Sequence, residues 1–236
     1  MSSKFRLAAL QDDTERARQA TIGGRVYGAV RNAIVQLHFR PGNLLSEAEI
    51  ANQLGVSRQP VREAFIKLSE AGMVEIRPQR GTFVRMISKR EVENARFLRE
   101  AIEVAIVRKA AVQAGPQSIE ILRDIIGRQR ATARKGDTAA FLRLDEQFHQ
   151  AIAASVDCDD AWRVLDSLKA QMDRVRYLSL PQATPLDVII DQHERIVEAI
   201  EHKSPGDAEE SMHAHLREIL NSLPKLAEAN RDYFVD

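Results

Sequence analysis

The sequence predicts a mainly α protein in two parts: a small helix-turn-helix with a β-hairpin, then an antiparallel bundle of six helices. Three observations carry this. Residues 46–84 hold two short capped helical segments parted by Gly55-Val56, then two runs of strand formers around a Pro78-Gln79-Arg80-Gly81 tip. From Ser88 onward only helical periodicity appears, cut into lengths by glycine, proline and aspartate. Charge divides the same way: residues 1–87 carry 13 Lys+Arg against 8 Asp+Glu, and residues 88–236 carry 21 against 26. A chain of zero net charge thus has a basic part and an acidic part, and the basic part suits a polyanion.

Residues 1–22 read as a flexible N-terminal tail, 23–87 as the first domain and 88–230 as the second. Ser46 and Glu49 form a capping box for a helix that buries Ile50, Ala51 and Leu54. Ser57 caps the next helix, whose buried stripe is Val61, Ala64, Phe65 and Leu68, and Gly72 ends it. Strands at 74–76 and 82–84 complete a winged helix-turn-helix. Ser88 with Glu91 opens the second domain, with helices expected near 88–113, 117–135, 138–155, 160–178, 185–202 and 205–228. Gly115-Pro116, Gly136-Asp137, Thr184-Pro185 and Ser204-Pro205 are the joints.

Composition narrows the setting. Hydrophobic content of 44% is ample for burial, with no apolar run of membrane-spanning length. The polar first 25 residues lack the apolar stretch of a signal peptide, and the single cysteine, Cys158, excludes an internal disulfide. A reducing, cytoplasmic location is the expectation.

Arg58 and Arg62 lie four apart near the start of the second motif helix, on one face. That end of a recognition helix meets base edges, and an arginine fork matches the two acceptors of guanine. Ser57 and Gln59 can donate to phosphate or base, and Arg80 at the wing tip can reach backbone or minor groove.

Three helices of the second domain carry polar residues where the pattern demands apolar ones. Asp145 and His149 sit among Phe141, Leu142, Phe148 and Ile152. His193 sits among Ile189, Ile190, Ile196 and Val197, and His215 among Met212, Leu216 and Ile219. Burying any one of these without a partner is costly, so they satisfy one another or a metal. His193 is 11 residues before Ser204 and His215 is 11 after it, so an antiparallel hairpin brings both to one height, about 16 Å from the turn. Three imidazoles and a carboxylate make a site for a divalent transition metal: zinc first, nickel or manganese as alternatives. His213 shares a face with Glu209 and Arg217, and His202 lies near Glu198, so both read as solvated.

Two stretches carry a family resemblance. Residues 27–84, above all "GVSRQPVREA", resemble the DNA-binding domain of the GntR family of bacterial repressors. By position Arg58, Arg62 and Gly81 match the family's operator-contacting residues, whereas Ala48 stands where the family usually has arginine. "LDEQFHQAI", "DQHERIVEAI" and "MHAHL" resemble the effector-sensing FCD domain of the FadR subfamily. That resemblance implies Asp145, His149, His193 and His215 as ligands, and a small organic acid held beside the metal. "FLREAIEVAIVRKAA" places Arg99 as a second anchor for its carboxylate, the plainer role being an intrahelical pair with Glu103. Six helices correspond to the VanR-like variant.

The expectation is a ligand-responsive regulator, a repressor in most of the family, acting as a homodimer on a palindromic operator. A mononuclear metal enzyme and a purely structural metal are the alternatives. A di-iron enzyme is disfavoured, because Glu146-x-x-His149 and Glu210-x-x-His213 fit its spacing but His215, not His213, holds the apolar face.

Overall fold

The computed structural model describes residues 7, 21–180 and 184–236. They fall into two units, one running to Ser88 and taking in Asn230–Asp236, the other Lys89–Ala229. Most of the tail expected over residues 1–22 lies outside the described residues. Leu7 is buried, its N–H donating to Gln53 Oε1 at 3.2 Å. Thr21 already caps a helix, accepting from the Gly24 N–H.

That helix, α1 (Ile22–Val35), packs against α3 (Arg58–Glu70), which buries Val61, Ala64, Phe65 and Leu68 as the periodicity requires. Between them α2 (Glu47–Leu54) starts where Ser46 Oγ accepts from the Glu49 N–H at 3.3 Å, and stops at Gly55, whose φ of 65° is left-handed. Ser57 occupies the cap position of α3 in extended conformation, but its hydroxyl makes no capping bond, contrary to expectation.

The wing pairs β2 (Val74–Arg77) antiparallel with β3 (Gly81–Val84). A third strand, β1 (Leu44–Leu45), lies on the other side of β3. Gly81 has φ +104°, and a Cβ there would stand 2.7 Å from Leu44 Cδ1, so the hairpin itself demands glycine at this position.

A second, two-stranded sheet closes this unit. β4 (Ile87–Ser88) pairs in parallel with β5 (Phe234–Val235), Ile87 opposite Phe234. Ser88, just before the following helix, donates its hydroxyl to Asp236 Oδ2 at 3.0 Å.

The second unit is all helix: α4 (Lys89–Gln113), α5 (Pro116–Arg134), α6 (Thr138–Ala154), α7 (Asp159–Leu168), α8 (Ala170–Ser179), α9 (Leu186–Glu201) and α10 (Pro205–Ala229). The bundle therefore has seven helices among the described residues, not the six expected. The segment near 160–178 breaks at Lys169, whose buried ammonium pairs with Glu146, with Asp166 at 3.2 Å and with Asp173 at 3.7 Å. Holding one cation at the joint among three carboxylates, one each on α6, α7 and α8, fixes a bend that no glycine or proline marks. The core is apolar and continuous, with Val107, Leu122, Phe141, Phe148, Ile152, Ile196 and Met212 all buried.

Candidate metal centre and nucleic-acid interface

Helix α6 begins where Asp137 accepts from the Ala140 N–H at 2.9 Å, and its buried stripe turns Asp145 and His149 inward with Phe141 and Phe148. Helices α9 and α10 form a hairpin across Ser204, and the register reckoned from it holds: the His193 and His215 ring centroids are 4.6 Å apart. All four residues are buried, and one ligand atom from each lies within 4.8 Å of every other. His149 Nε2 is 3.0 Å from His215 Nε2, and the Asp145 carboxylate is 3.6 Å from His193 Nε2 and 3.8 Å from His149 Nε2. Phe148 stacks on His193 at 4.1 Å and closes one side.

This donor set fits a divalent transition metal on physical grounds. His193 Nε2 is buried with no hydrogen-bond partner. Burial holds the His193 imidazole down to about 3 despite Asp145, and burial beside His193 and His149 holds His215 well below its usual value. Both rings are therefore neutral near pH 7, the form a metal requires. Burial alone would raise Asp145 and Glu103. The Arg176 charge with the neighbouring imidazoles keeps Asp145 well below the usual range, while Arg99 and His149 bring Glu103 to about 2.

These shifts set an acid limit. Between pH 6.5 and about 3 the unfolded chain binds protons on His193 that the folded cluster refuses, so stability falls as pH falls through that window. Glu103, depressed when folded, adds its own loss between pH 4.5 and about 2. Metal-free protein should accordingly show a melting temperature that drops on acidification below pH 6.5. A flat profile from pH 7 to 4 would contradict the neutral cluster.

A cavity opens beside the four residues, with about 470 Å³ of atom-free space counting its mouth. Asp145 and His215 are part of its lining, together with Arg99, Arg176 and the apolar Met172, Leu180, Ile189 and Leu216. Arg99 pairs with Glu103 four residues on, so the plainer of its two expected roles is present while the residue also faces the cavity. Arg176 pairs with Asp145 and was not foreseen, because the polar run of α8 carries no apolar stripe against which it stands out.

His213 lies apart from the cluster. Its Nδ1 is 2.6 Å from Glu100, a buried carboxylate that also accepts from Arg217 at 2.9 Å and pairs with Arg96. It is therefore partly buried and engaged rather than solvated as expected.

On the first unit, Ser57, Arg58, Gln59, Arg62, Arg80 and Gly81 are all exposed. Arg58 and Arg62 converge on a single acceptor, Glu47 at the start of α2: Arg58 Nη2 at 3.1 Å and Arg62 Nε at 2.9 Å. Sequence reasoning missed Glu47. Gln59 donates to Glu63 at 3.2 Å, and at the wing Arg77 lies over the Phe83 ring and pairs with Glu75.

A winged helix-turn-helix followed by an all-helical domain defines the class as a DNA-binding regulator. Residues 22–84 match the model of the gntR family of bacterial regulatory proteins, and residues 95–218 match the FCD domain. The chain is 38% identical to the HTH-type transcriptional repressor RspR of Escherichia coli strain K12, over 90% of this chain and 93% of that protein. It is 28% identical to a probable D-xylose utilization operon transcriptional repressor of Paenarthrobacter nicotinovorans, over 92% and 94%. The solved structure of E. coli McbR/YncC shares the fold, with a TM-score of 0.76, 19% identity and coverage of 89% and 99%. This chain belongs to the GntR family of transcriptional regulators and carries an FCD domain. No helix among the described residues is long and apolar enough to cross a membrane.

Proposed function

We propose that this regulator is a repressor whose grip on a palindromic operator is set by a small carboxylate bound beside a divalent metal. Asp145, His149, His193 and His215 would hold the ion, with zinc the first choice for three imidazoles and a carboxylate. The observation that carries the reading is the convergence of these donors on the wall of a cavity that Arg99 and Arg176 also line. Four protein ligands leave room on a five- or six-coordinate ion. Two guanidinium groups in a mostly apolar cavity favour an acid with more than one carboxylate. On the DNA side, Arg58 and Arg62 would read bases, while Ser57, Gln59, Arg80 and Gly81 would meet phosphate and wing contacts.

The test is thermal. Small di- and hydroxycarboxylic acids should raise the melting temperature of the metal-loaded protein and do so much less for chelated protein or for His193→Ala. Equal stabilisation with and without metal would leave the ion as a structural staple only.

A palindromic operator needs two reading heads, and a second copy of this chain is the partner that supplies one. Supporting this, α4 exposes Leu98, Ala101, Ala105 and Val112 along one face, at successive spacings of three, four and seven residues, flanked by Phe97, which is 64% exposed. Such a seam suits a helix of a second chain, with the two alanines permitting close approach. Phe97→Glu should shift the protein to monomer in light scattering with its circular dichroism unchanged. A variant that stays dimeric would move the interface elsewhere.

A further inference from the structure

Every histidine of the cluster has its second ring nitrogen turned away from the centre and onto a side-chain oxygen. His149 Nδ1 faces Glu103 Oε2 at 2.5 Å, His193 Nδ1 faces Gln129 Oε1 at 2.9 Å, and His215 Nδ1 faces Gln192 Oε1 at 3.0 Å. For His193 and His215 these contacts are hydrogen bonds to a carbonyl oxygen, so both rings carry their proton on Nδ1 and a bare lone pair on Nε2, whereas His149 Nδ1 and Glu103 Oε2 lie close without hydrogen-bond geometry. The orientation of one amide is pinned independently: Gln192 Nε2 donates to Glu218 Oε2 at 3.3 Å, which leaves its carbonyl for His215. Gln129 is fully buried, and its amide nitrogen has no partner. A glutamine kept in an apolar interior with half its hydrogen-bonding capacity unmet is a poor choice for stability. Its carbonyl is the only part with a use, and that use is His193.

We infer that Gln129 and Gln192 are positioning residues that lock the His193 and His215 tautomers so that both Nε2 atoms aim at one point. The inference rests on the reading of the cluster as a metal site and deepens it. With His193 and His215 in this tautomer, both of their Nε2 lone pairs face the centre of the cluster, where His149 Nε2 comes within 3.0 Å of His215 Nε2. The folded chain thus prepares the charge distribution before the ion arrives. Two of the three outer neighbours are neutral amides, which orient a ring without adding charge, whereas the third, Glu103, is a carboxylate.

The experiment has two arms on the full chain. In the metal-free wild type, nitrogen-15 spectra of the imidazoles should show the Nδ1–H tautomer for His193 and His215. Zinc affinity, read by competition with a chromophoric chelator, should then fall about 10- to 100-fold in Gln129→Leu and Gln192→Leu. Gln129→Glu and Gln192→Glu, which keep an acceptor oxygen in place, should recover most of it. The visible spectrum of the cobalt-loaded protein should change in the leucine variants and be regained in the glutamates. Nε2–H tautomers in the wild type, or folded leucine variants with unaltered zinc affinity, would overturn the inference. If Gln129→Leu fails to fold, the wild-type tautomers and the Gln192 pair decide it. A wild type that binds no zinc would remove the metal reading while the tautomer measurement still judged the positioning.

Discussion

Asp145→Ala should both strip the metal and cost more stability than any other single change at the cluster. Asp145 is buried and pairs with Arg176, so its loss removes a ligand and also leaves a guanidinium largely out of water beside three imidazoles. Removing one partner of a buried ion pair costs about 3–5 kcal/mol, which in a domain of this size lowers the melting temperature by roughly 10 °C or more. Asp145→Asn separates the two effects. The amide oxygen still accepts from Arg176, so less stability is lost, but the neutral group is a poor ligand and metal should still be lost. Calorimetry together with elemental analysis of the purified variants checks both. A folded Asp145→Ala protein with a full metal complement would exclude Asp145 from the coordination sphere. His215→Ala should likewise lose metal and stability together. His213→Ala should keep its metal and lose only the stability that Glu100 draws from a third partner. Equal metal loss from the two histidine variants would reverse the face assignment.

Arg62→Ala should weaken operator binding by about 1–3 kcal/mol and relax preference at one base pair of each half-site. The geometry sharpens this expectation. Arg62 and Arg58 share Glu47, so in the DNA-free protein their charges are held together at the N-terminal end of α3 instead of sweeping through solvent. DNA must draw the guanidinium groups onto guanine edges, and Glu47 then remains close enough to keep them in line. Fluorescence anisotropy on operators selected from a random duplex pool, with single-base variants of the best one, measures both affinity and preference. An Arg62→Ala protein that matched wild type across that panel would take Arg62 out of base readout.

The parts of the molecule that could be read from sequence are those whose physics is local. Caps and glycine stops placed α2 and α3 within a residue of their ends, because Ser46 and Gly55 act on neighbours three or four positions away. The convergence of three histidines and an aspartate was legible for a related reason. Asp145, His149, His193 and His215 each interrupt an apolar stripe, and hairpin geometry converts sequence distance from Ser204 into height. What escaped notice depends on tertiary partners. The break at Lys169 comes from carboxylates on α6, α7 and α8, with no helix-breaking residue to announce it. The roles of Gln129 and Arg176 arise only when α5 and α8 meet α9 and α6. Strands of two residues, such as β1 and β4, are too short to have a period.

The pairing of β4 with β5 bears on how the protein comes to be folded during synthesis. Ser88 and Asp236 are 148 positions apart, yet they belong to one unit, so the DNA-binding part is discontinuous in the chain. Its helices and wing can form as soon as residue 84 has left the ribosome, but the β4–β5 ribbon must wait until all of α10 and residues 234–235 have been made. At about 5–20 residues per second, that leaves an interval of several seconds or more in which Ile87, buried in the finished protein, has no strand beside it. The nascent DNA-binding part therefore has an open backbone edge until the whole helical domain has been synthesised, and a fragment ending near residue 88 keeps that edge permanently.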